Sequence, residues 1–406
     1  MRVLWLSHFY PYPPAGGALQ RSYHLLRQMA GRHQVHLVSL RKERDRPEPE
    51  EVAGHYDPPE AFCESVRLFP IPAEESRLRK LLMIASGLWD PDPYDDRWLA
   101  STAYRRYLDR EIDIDRFDLV HLDTIGLAQY SEALPGLPAV MNHHNIESHM
   151  MARRAEDVRG WLRRAYMRLE SRKLARWERR WCGGYDDNLV VSRLDGERLE
   201  KTVPDVSWTV VPNGVDTEFF RPGEPGTAAD GPREGLVFVG RMSWYPNRDA
   251  IEWLLDEIWP AVRQEWPELS LTLVGSSPPE RAKEAPNVRA TGFVPDVRPY
   301  LNGAAVYVCP IRTGGGTRLK ILDCMAMGVP LVATEMSVEG LDLEDRRHYL
   351  RAETPAEFTD AIRELRQDED LGARLAKASR EEAVRRFSWK RIGEKLDAAY
   401  GACVSP

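Results

Sequence analysis

The sequence predicts an α/β protein with two doubly wound, Rossmann-like domains that face each other across a cleft. At 406 residues the chain is too long for one ordinary hydrophobic core. Short apolar segments alternate with helical patterns in both halves, which is typical of mainly parallel sheets covered on both faces. Each half also has a glycine-rich turn between a strand and a helix, at Gly16-Gly17 and at 314–316. Ligands in such sheets bind at the carboxyl ends of the strands.

The first half predicts a domain over residues 1–216. Its predicted strands are 3–7, 35–40, 119–122, 139–142, 189–192 and 209–211, and its predicted helices are 18–30, 77–88, 97–110 and 148–181. The segment 42–72 is polar and proline-rich, so we expect an irregular insertion there.

The second half predicts a domain over residues 217–386, entered through a linker at 221–233 that is rich in Gly, Pro and Ala. Its predicted strands are 235–240, 269–274, 288–292, 304–311 and 331–334. Its predicted helices are 249–265, one that starts at the second glycine-rich turn and stops at Gly328, 355–367, 370–386 and 389–400. We expect the last helix, about 387–406, to pack back on the first domain.

Composition excludes several functional classes. The net charge of −7 gives no overall attraction to nucleic acid. The five cysteines have no Cys-x-x-Cys spacing, so the sequence predicts neither a metal centre nor a disulfide framework. The first residues read as a strand rather than a signal peptide, and no run approaches the roughly 20 apolar residues of a membrane span. We therefore expect a cytoplasmic protein.

One segment departs from this acidic background. Residues 153–180 contain eleven basic and four acidic residues, a net charge of +7, with Trp161, Trp177 and Trp181 nearby. Such a helix is either a solvated face whose Trp residues pack on the sheet, or a surface that contacts an anionic membrane peripherally.

The glycine-rich turn of the second half is the strongest candidate for a binding site. Three glycines before a helix let the backbone approach a ligand, and the N–H groups of the first helical turn bind anions. Lys320 and Asp323 follow on the face opposite Leu319, Leu322 and Ala326. A cation beside an acceptor suits a diphosphate next to a ribose. The alternative is a strand–turn–helix with a solvated Lys, although a cation in the first turn opposes the helix dipole.

Two further groups of polar residues follow predicted strands. Arg241 comes directly after 235–240, where it suits phosphate oxygens or, alternatively, a surface ion pair. The segment His143-His144-Asn145-Ile146-Glu147 closes another strand, at an active-site position of open sheets.

Together these motifs resemble the retaining GT-B glycosyltransferases of family 4 over nearly the whole chain. The resemblance rests on an ordered set of segments: Ala15-Gly16-Gly17, His144-Asn145, Pro212-Asn213-Gly214-Val215-Asp216, Gly240-Arg241, Gly292-Phe293-Val294, and 314–330.

The resemblance implies transfer of a sugar from a nucleotide-diphosphate sugar, with the anomeric configuration kept and without a metal or other cofactor. It implies that Arg241 and Lys320 neutralise the leaving diphosphate, that Asp323 holds the ribose and that His144 contacts the sugar. The other implied diphosphate contacts are Gly16, Gly17, Gly315, Gly316, Thr317 and Arg318; the base contacts are Phe293 and Val294; the sugar or acceptor candidates are His143, Asn145, Glu147 and Gly314.

Three positions depart from the family pattern. The usual pair of glutamates eight residues apart reads Gly315 and Asp323, a usual Lys reads Asn247, and the Asp expected after His144 reads Asn145. Our hypothesis is that Arg318 and Lys320 replace the missing cation.

The resemblance favours a transferase that uses a UDP-sugar, with a GDP-sugar as the second choice. Its acceptor is a carbohydrate, a lipid-linked glycan or a small molecule. Two alternatives remain: a nucleotide-sugar epimerase or hydrolase, which needs an acid such as Glu147 in the site, and a GT-B protein that binds without turnover.

Overall fold

A computed structural model describes residues 1–14, 16–42, 56–74, 77–158, 160–223 and 233–404. The chain divides into two compact units, Met1–Pro212 with Ile392–Pro406, and Asn213–Arg391. The sequence places the domain boundary four residues later, after Asp216. Most of the predicted linker, residues 224–232, lies outside the described residues.

The first unit is built on a seven-stranded parallel sheet with the order β3-β2-β1-β4-β5-β6-β7. The strands are β1 (Arg2–Ser7), β2 (Gln34–Arg41), β3 (Ser65–Pro70), β4 (Leu119–Leu122), β5 (Ala139–Asn142), β6 (Asp187–Val190) and β7 (Trp208–Val210). The predicted bounds of β4 and β5 are confirmed. The predicted strand 189–192 begins and ends two residues earlier.

Strand β3 corrects the prediction of an irregular insertion over 42–72. Ser65-Val-Arg-Leu-Phe-Pro70 pairs with β2 at the edge of the sheet, where a strand tolerates proline because one side needs no ladder hydrogen bonds. The polar composition of the segment hid this strand. Residues 43–55 of the segment lie outside the described residues.

Two long helices predicted for the first unit are each two helices. The helices are α1 (Gly17–Ala30), α2 (Arg77–Ser86), α3 (Tyr94–Leu99), α4 (Thr102–Arg110), α5 (Glu147–Asp157), α6 (Trp161–Trp181) and α7 (Arg193–Thr202). The predicted helix 97–110 breaks because Ala100 is extended and the Ser101 side chain caps α4 by accepting from Tyr104 N–H. The predicted helix 148–181 breaks at Gly160, whose φ of 99° is left-handed.

The second unit is a six-stranded parallel sheet with the order β10-β9-β8-β11-β12-β13. The strands are β8 (Leu236–Val239), β9 (Leu271–Val274), β10 (Val288–Ala290), β11 (Val306–Cys309), β12 (Leu331–Ala333) and the short β13 (Leu350–Arg351), which the sequence did not predict. The central strands β8, β11 and β12 are almost entirely buried, as expected of a sheet covered on both faces.

The helices of the second unit are α8 (Tyr245–Trp253), α9 (Trp259–Glu265), α10 (Arg281–Glu284), α11 (Arg298–Asn302), α12 (Leu319–Ala326), α13 (Pro355–Gln367) and α14 (Glu369–Phe387), and the last helix of the chain, α15 (Trp389–Val404), begins at the end of this unit. Helix α13 has the predicted bounds, and α15 ends within the first unit. The predicted helix 249–265 is interrupted by a wide turn at Leu254–Ile258, because Pro260 has no N–H to donate to the preceding turn. In the described ranges, no helix is both long enough and apolar enough to cross a membrane.

The segment 212–216 fastens the start of the second unit to its last helices. Val215 N–H donates to Phe387 C=O at 2.8 Å, and Trp389 N–H donates back to Val215 C=O at 3.3 Å. A Cβ on Gly214 would lie 2.7 Å from the Trp389 ring and 2.9 Å from the Phe387 carbonyl oxygen. The glycine of this motif is therefore needed for close packing.

We expect Gly214→Ala to destabilise the protein by about 1–3 kcal/mol, because the new methyl group overlaps a packed ring and a backbone oxygen. Urea unfolding measures the loss as a lower midpoint. Gly401→Ala is the matched control, since a Cβ there meets nothing within 4 Å. Equal midpoints for the two variants would contradict this account of the motif.

Candidate functional site

The glycine loop (residues 313–318) of the second unit connects β11 to α12. Gly314 and Gly316 have φ values of 101° and 71°, which side-chain-bearing residues rarely adopt. A Cβ on Gly314 would also lie 2.9 Å from the Pro246 ring. The loop therefore turns tightly into α12, whose first-turn N–H groups have no partner within the helix. This backbone is suited to an anion.

Lys320 lies on the first turn of α12 and points toward the end of β8. Its ammonium donates to Asn247 Oδ1 at 2.7 Å and lies 4.4 Å from the centre of the Phe238 ring. Among the described residues, no carboxylate forms an ion pair with it. Burial, reinforced by the nearby Arg318, lowers the pKa of Lys320 to about 8 despite opposing contributions from Cys309 and Asp323.

Gly240 leaves the space that Lys320 occupies. A Cβ on Gly240 would lie 2.5 Å from Lys320 Nζ and 2.9 Å from Asn247 Nδ2. Asn247 in turn donates to Arg241 C=O at 2.8 Å, which fixes the orientation of its amide. Lys320, which is 73 positions from Asn247 in the sequence, thus forms one cluster with residues 240–241 and 247.

Arg318 does not supply a free cation. Its guanidinium donates to the carbonyls of Gly316 and Thr313, and it lies 3.7 Å from the Glu339 carboxylate. The charge therefore helps to hold the glycine loop in shape, and of the two cations in our hypothesis Lys320 is the one without a carboxylate partner among the described residues. Thr317 is likewise engaged, because its hydroxyl accepts from Asn213 Nδ2 at 2.5 Å.

Arg241 and Asp323 remain available to a ligand. Arg241 is exposed, and its guanidinium forms no ion pair with any described residue, which removes the surface ion-pair alternative. Asp323 lies one helical turn after Lys320, and burial raises the pKa of its carboxyl group to about 7, with Lys320 opposing the shift. No described side chain donates to this carboxylate.

The loop that follows β10 carries Phe293 and Val294. Gly275 N–H donates to Gly292 C=O at 3.1 Å, which draws this loop to the end of β9. Phe293 is 53% exposed, whereas Val294 packs on the core of the second unit. An exposed aromatic ring beside these strand ends is suited to a planar group.

In the first unit, the buried carboxylate of Asp123 is the centre of a polar cluster at the ends of β1, β4 and β5. It accepts from Ser22 at 2.5 Å, Asn142 at 2.7 Å and Ser7 at 3.3 Å. Burial alone would raise the pKa of Asp123, but the histidines around it, with His144 foremost, hold that pKa well below its usual range.

Two histidines lie against Asp123. His144 Nε2 is 3.1 Å from Oδ1, and His8 Nδ1 is 3.7 Å from Oδ2, with the two rings edge-on at 5.5 Å. Burial lowers the pKa of His8 to about 4, so that its ring is neutral at pH 7. Asp123 therefore fixes the ring of His144 in one orientation.

Donor atoms of His8, Asp123 and His144 lie within 4.8 Å of one another, a spacing that a metal ion can bridge. Both oxygens of Asp123 already accept hydrogen bonds, however, including one involving His144. The donor set is therefore that of a satisfied carboxylate, and we derive no metal-dependent step from it.

The remaining candidates of the 143–147 segment differ in their surroundings. His143 is buried against Asn188 and Cys182, and burial lowers its pKa to about 4, so we assign it to the core. Glu147 begins α5. Burial and the neighbouring Asp95 raise its pKa to about 8, opposed by a hydrogen bond with Asn145, so its carboxyl group is largely protonated at pH 7.

Gly16 and Gly17 begin α1, near the same end of the first sheet. Gly16 has a φ of 91°, and a Cβ there would meet nothing within 4 Å, so backbone conformation rather than packing requires the glycine. Ala15 lies outside the described residues. One turn into α1, the buried Arg21 donates to Asn142 and to the Pro212 carbonyl, which links α1 to β5.

Sequence reasoning missed His8 and Asp123. Both directly follow a strand, β1 or β4, as His143 and His144 follow β5. The same rule for the carboxyl ends of parallel strands would have selected them. Neither residue belongs to a recognisable sequence motif, so the sequence marks them less clearly than the 143–147 segment.

Two family descriptions match the chain. Residues 15–219 match "Glycosyltransferase Family 4", which is about half of the chain, and residues 233–368 match "Glycosyl transferases group 1".

Individual relatives are more distant. A phosphatidyl-myo-inositol mannosyltransferase from Mycobacterium leprae is 27% identical over 47% of this chain and 52% of its own, so the match spans about half of each protein. An alpha-maltose-1-phosphate synthase from Mycolicibacterium smegmatis is 26% identical over 70% of this chain and 78% of its own.

Among solved structures, sucrose-phosphate synthase from Thermosynechococcus elongatus has a TM-score of 0.70 at 18% identity, covering 99% of this chain and 98% of that one. Anabaena HepE in complex with UDP and glucose has a TM-score of 0.67 at 14% identity, covering 99% and 100%. At these identities the structures establish the fold, which is GT-B.

We expect Asp123→Asn to destabilise the first unit by roughly 2–4 kcal/mol at pH 7, because the new amide turns donors against the hydroxyl and imidazole groups that Asp123 now accepts from. The native pKa of Asp123 is depressed, so its contribution is present above about pH 4 and is lost as the pH falls further. Urea unfolding across pH checks both points. Asp205→Asn is the control, because Asp205 is exposed. A similar loss of stability in this control would contradict the central role of Asp123 in the cluster.

Proposed function

The chain belongs to glycosyltransferase family 4, and from that premise we propose that it transfers a sugar from a nucleotide-diphosphate sugar to an acceptor hydroxyl with retention of anomeric configuration. Enzymes of this type must bind a dianionic diphosphate and stabilise the charge that builds on it as the sugar leaves. The proposal assigns that task to the second unit and recognition of the sugar to the first.

The observation that carries the proposal is the environment of Lys320. An ammonium group that is largely withdrawn from water and has no carboxylate partner among the described residues is costly, and its lowered pKa reflects that cost. Asn247 and the Phe238 ring satisfy it only partly, since one is neutral and the other is aromatic. A diphosphate supplies the missing negative charge. Arg241 supplies a second cation with a guanidinium fork.

These cations act on the leaving group. As the bond between sugar and phosphate breaks, negative charge builds on the diphosphate and positive charge builds on the sugar ring. Fixed donors stabilise that state because they need no reorganisation during the reaction. The N–H groups of the glycine loop, with Gly315 and Gly316, and those at Gly16 and Gly17 add further donors.

Asn247 is a neutral residue at the position where the family usually has Lys, and its contact with Lys320 offers a way to compensate for the lost charge. The Asn247 amide oxygen receives the ammonium of Lys320, which therefore lies next to the side chain that replaces the missing Lys. We propose that this exchange keeps one cation near the diphosphate. Gly240 is part of the exchange, since a side chain there would overlap Lys320.

The other donor contacts follow from the same cluster. The Asp323 carboxylate, which has no donor among described side chains, accepts from the ribose hydroxyls. Phe293 and Val294 contact the base. Thr317 and Arg318 act on the diphosphate indirectly, because their side chains hold the glycine loop.

In the first unit, His144 contacts the transferred sugar. Asp123 holds its ring, and the neutral His8 lies beside it. Asn145 and the protonated Glu147 offer amide and carboxyl groups to the sugar or acceptor. Attack of the acceptor from the leaving-group face, with the diphosphate taking its proton, accounts for retention without a strong protein base.

We favour a UDP-sugar as the donor, with a GDP-sugar second, and no metal or cofactor. The structures of HepE with UDP, glucose and UDP-glucose support this choice. The product belongs to a polysaccharide, a glycoconjugate or a glycosylated natural product. The substitution of Gly315 for an acid that usually touches the sugar suggests altered contacts on one side of the donor sugar.

A thermal-shift panel of UDP, GDP and ADP with their sugars tests donor binding, because a ligand of the folded state raises the melting temperature by mass action. The selected donor is then incubated with glycan acceptors, and NMR of the product reads the anomeric configuration. Release of nucleotide only in the presence of acceptor supports transfer. Release by water alone supports the hydrolase, and binding without release supports the binding protein.

We expect Lys320→Ala to lower kcat/KM by about 10²–10³-fold, because it removes a fixed cation from the leaving group. Steady-state assays with the donor measure this loss. Lys377→Ala is the control, since Lys377 is an exposed lysine in a weak ion pair at 4.0 Å. Near-normal turnover of Lys320→Ala would overturn the assignment.

The pH profile gives a second test of Lys320. Its lowered pKa means that the ammonium loses its proton as the pH rises through about 8, so kcat/KM falls above that pH. Lys320→Arg keeps the positive charge at high pH. We expect kcat/KM of this variant not to fall as the pH rises above about 8, whatever its absolute rate. An unchanged fall would assign the titration to another group.

Glu147→Gln separates transfer from acid-catalysed hydrolysis or epimerisation. The amide keeps the size and the hydrogen-bond donor but cannot transfer a proton. In the proposed mechanism the proton passes to the diphosphate, so we expect kcat to change by less than about tenfold. A loss of 10²-fold or more in kcat would favour the alternative in which Glu147 is the acid.

A further inference from the structure

A stripe of arginines runs along the outer face of α6, in the first unit. Residues Glu170, Lys173, Leu174, Trp177 and Glu178 form the buried face of this helix. At 100° per residue, the opposite face carries an arginine stripe, defined as Arg168, Arg172, Arg176 and Arg179, within an arc of about 80°. All four side chains are exposed.

The positive charge of this stripe is not neutralised locally. None of its four guanidinium groups forms an ion pair within 4.0 Å with another described residue. Glu170, an acidic residue of the same helix, is buried and pairs with Lys173 instead. Arg163 is also exposed and without such a pair. In contrast, exposed arginines elsewhere, such as Arg193, Arg347 and Arg374, are each paired with a carboxylate.

The stripe ends in exposed apolar side chains. Trp161, on the same arc at the start of α6, is 77% exposed, and its neighbour Leu162 is 65% exposed. Beside the middle of α6, Lys173 Nζ donates to Gly87 C=O at 2.5 Å, and the next two residues are Leu88 and Trp89, the latter 83% exposed. Exposed apolar side chains that are neighbours, as in the pairs Trp161-Leu162 and Leu88-Trp89, indicate an interaction surface more strongly than isolated ones do.

We propose that this face of the first unit binds the surface of an anionic membrane. The arginine stripe pairs with lipid phosphates, while Trp161 and Leu162 enter the interface between headgroups and acyl chains, where Trp is favoured. The exposed Trp and Leu select a lipid surface over a purely electrostatic partner, because nucleic acid phosphates offer no apolar layer at that depth.

The distribution of charge fixes the orientation. Residues 153–180 carry a net charge of +7, which leaves −14 for the rest of the chain. An anionic surface repels most of the protein and attracts this face, so the protein binds in one orientation. Binding of this kind is peripheral and depends on salt, since interactions of exposed charges are screened. The proposal is independent of the donor that the enzyme uses.

Sedimentation of the full-length protein with vesicles tests the proposal. Vesicles of phosphatidylcholine mixed with phosphatidylglycerol are compared with vesicles of phosphatidylcholine alone. We expect binding to the mixed vesicles only, and release at about 1 M salt, where the screening length is about 3 Å. Failure to bind the mixed vesicles at low salt overturns the proposal.

Two sets of variants assign the binding to this face. Replacing the arginine stripe with Gln (R168Q, R172Q, R176Q, R179Q) should lower partitioning by nearly three orders of magnitude, given roughly fivefold for each charge near the surface. The matched control removes the same charge from paired, exposed sites: R193Q, R347Q, R374Q and K377Q. Equal partitioning of the two variants overturns the assignment.

The contribution of the apolar tip, defined as Trp161 and Leu162, is tested separately. Trp161→Ala with Leu162→Ala should weaken binding several-fold while leaving its salt dependence in place. The melting temperature of each variant, with and without nucleotide, shows that the fold and the donor site are retained. Tip variants that partition like the unchanged protein would mean that the stripe binds polyanions in general, which contradicts a membrane interface.

Discussion

A parallel strand that is buried on both faces carries a polar side chain in its interior only with a partner for it, so polar residues collect where the strand ends, and both units of this protein depend on that constraint. Interior positions of β1, β4, β8 and β11 are almost fully buried and nearly all apolar, and the exception, His121 of β4, has the Tyr400 hydroxyl as a partner at 2.7 Å. The polar chemistry therefore collects at the carboxyl ends, after β1, β4 and β5 in the first unit and after β8 and β11 in the second. Because groups there lose water, each must find a partner in the protein or in a ligand.

The two clusters meet that requirement in opposite ways. In the first unit, Asp123 is surrounded by donors, so that the carboxylate is satisfied and holds His144 in place. In the second, Lys320 is only partly satisfied, by a neutral amide and an aromatic ring. A satisfied buried charge positions its neighbours, whereas an unsatisfied one favours a ligand of opposite charge. This difference is why we assign support to the first cluster and diphosphate binding to the second.

The departures from the family pattern are linked rather than independent. Asn247 occupies the position of a usual Lys, Lys320 brings an ammonium to it, and Gly240 leaves the room that the ammonium needs. Arg318, which carries charge but is paired with Glu339, keeps the glycine loop in the conformation that α12 requires. A change at one of these positions therefore affects the others.

The sequence by itself determined the fold class, most element positions and the motifs that the site uses. Strands β4 and β5 and helix α13 have their predicted bounds, because buried strands and capped helices leave strong local patterns. It was wrong where a short local feature outweighed the pattern: the left-handed Gly160, the Ser101 cap, Pro260, and an edge strand in a polar segment.

Only the tertiary structure decided which charged residues have partners. No local pattern separates Arg318, which pairs with Glu339, from Lys320, which pairs with no described carboxylate, since both follow the same glycines. Nor did the sequence reveal Asp123, which stands alone in the chain and gains its role from residues up to 116 positions away. Pairing of charges depends on distances across the sheet, and those distances exist only once the strands are placed side by side.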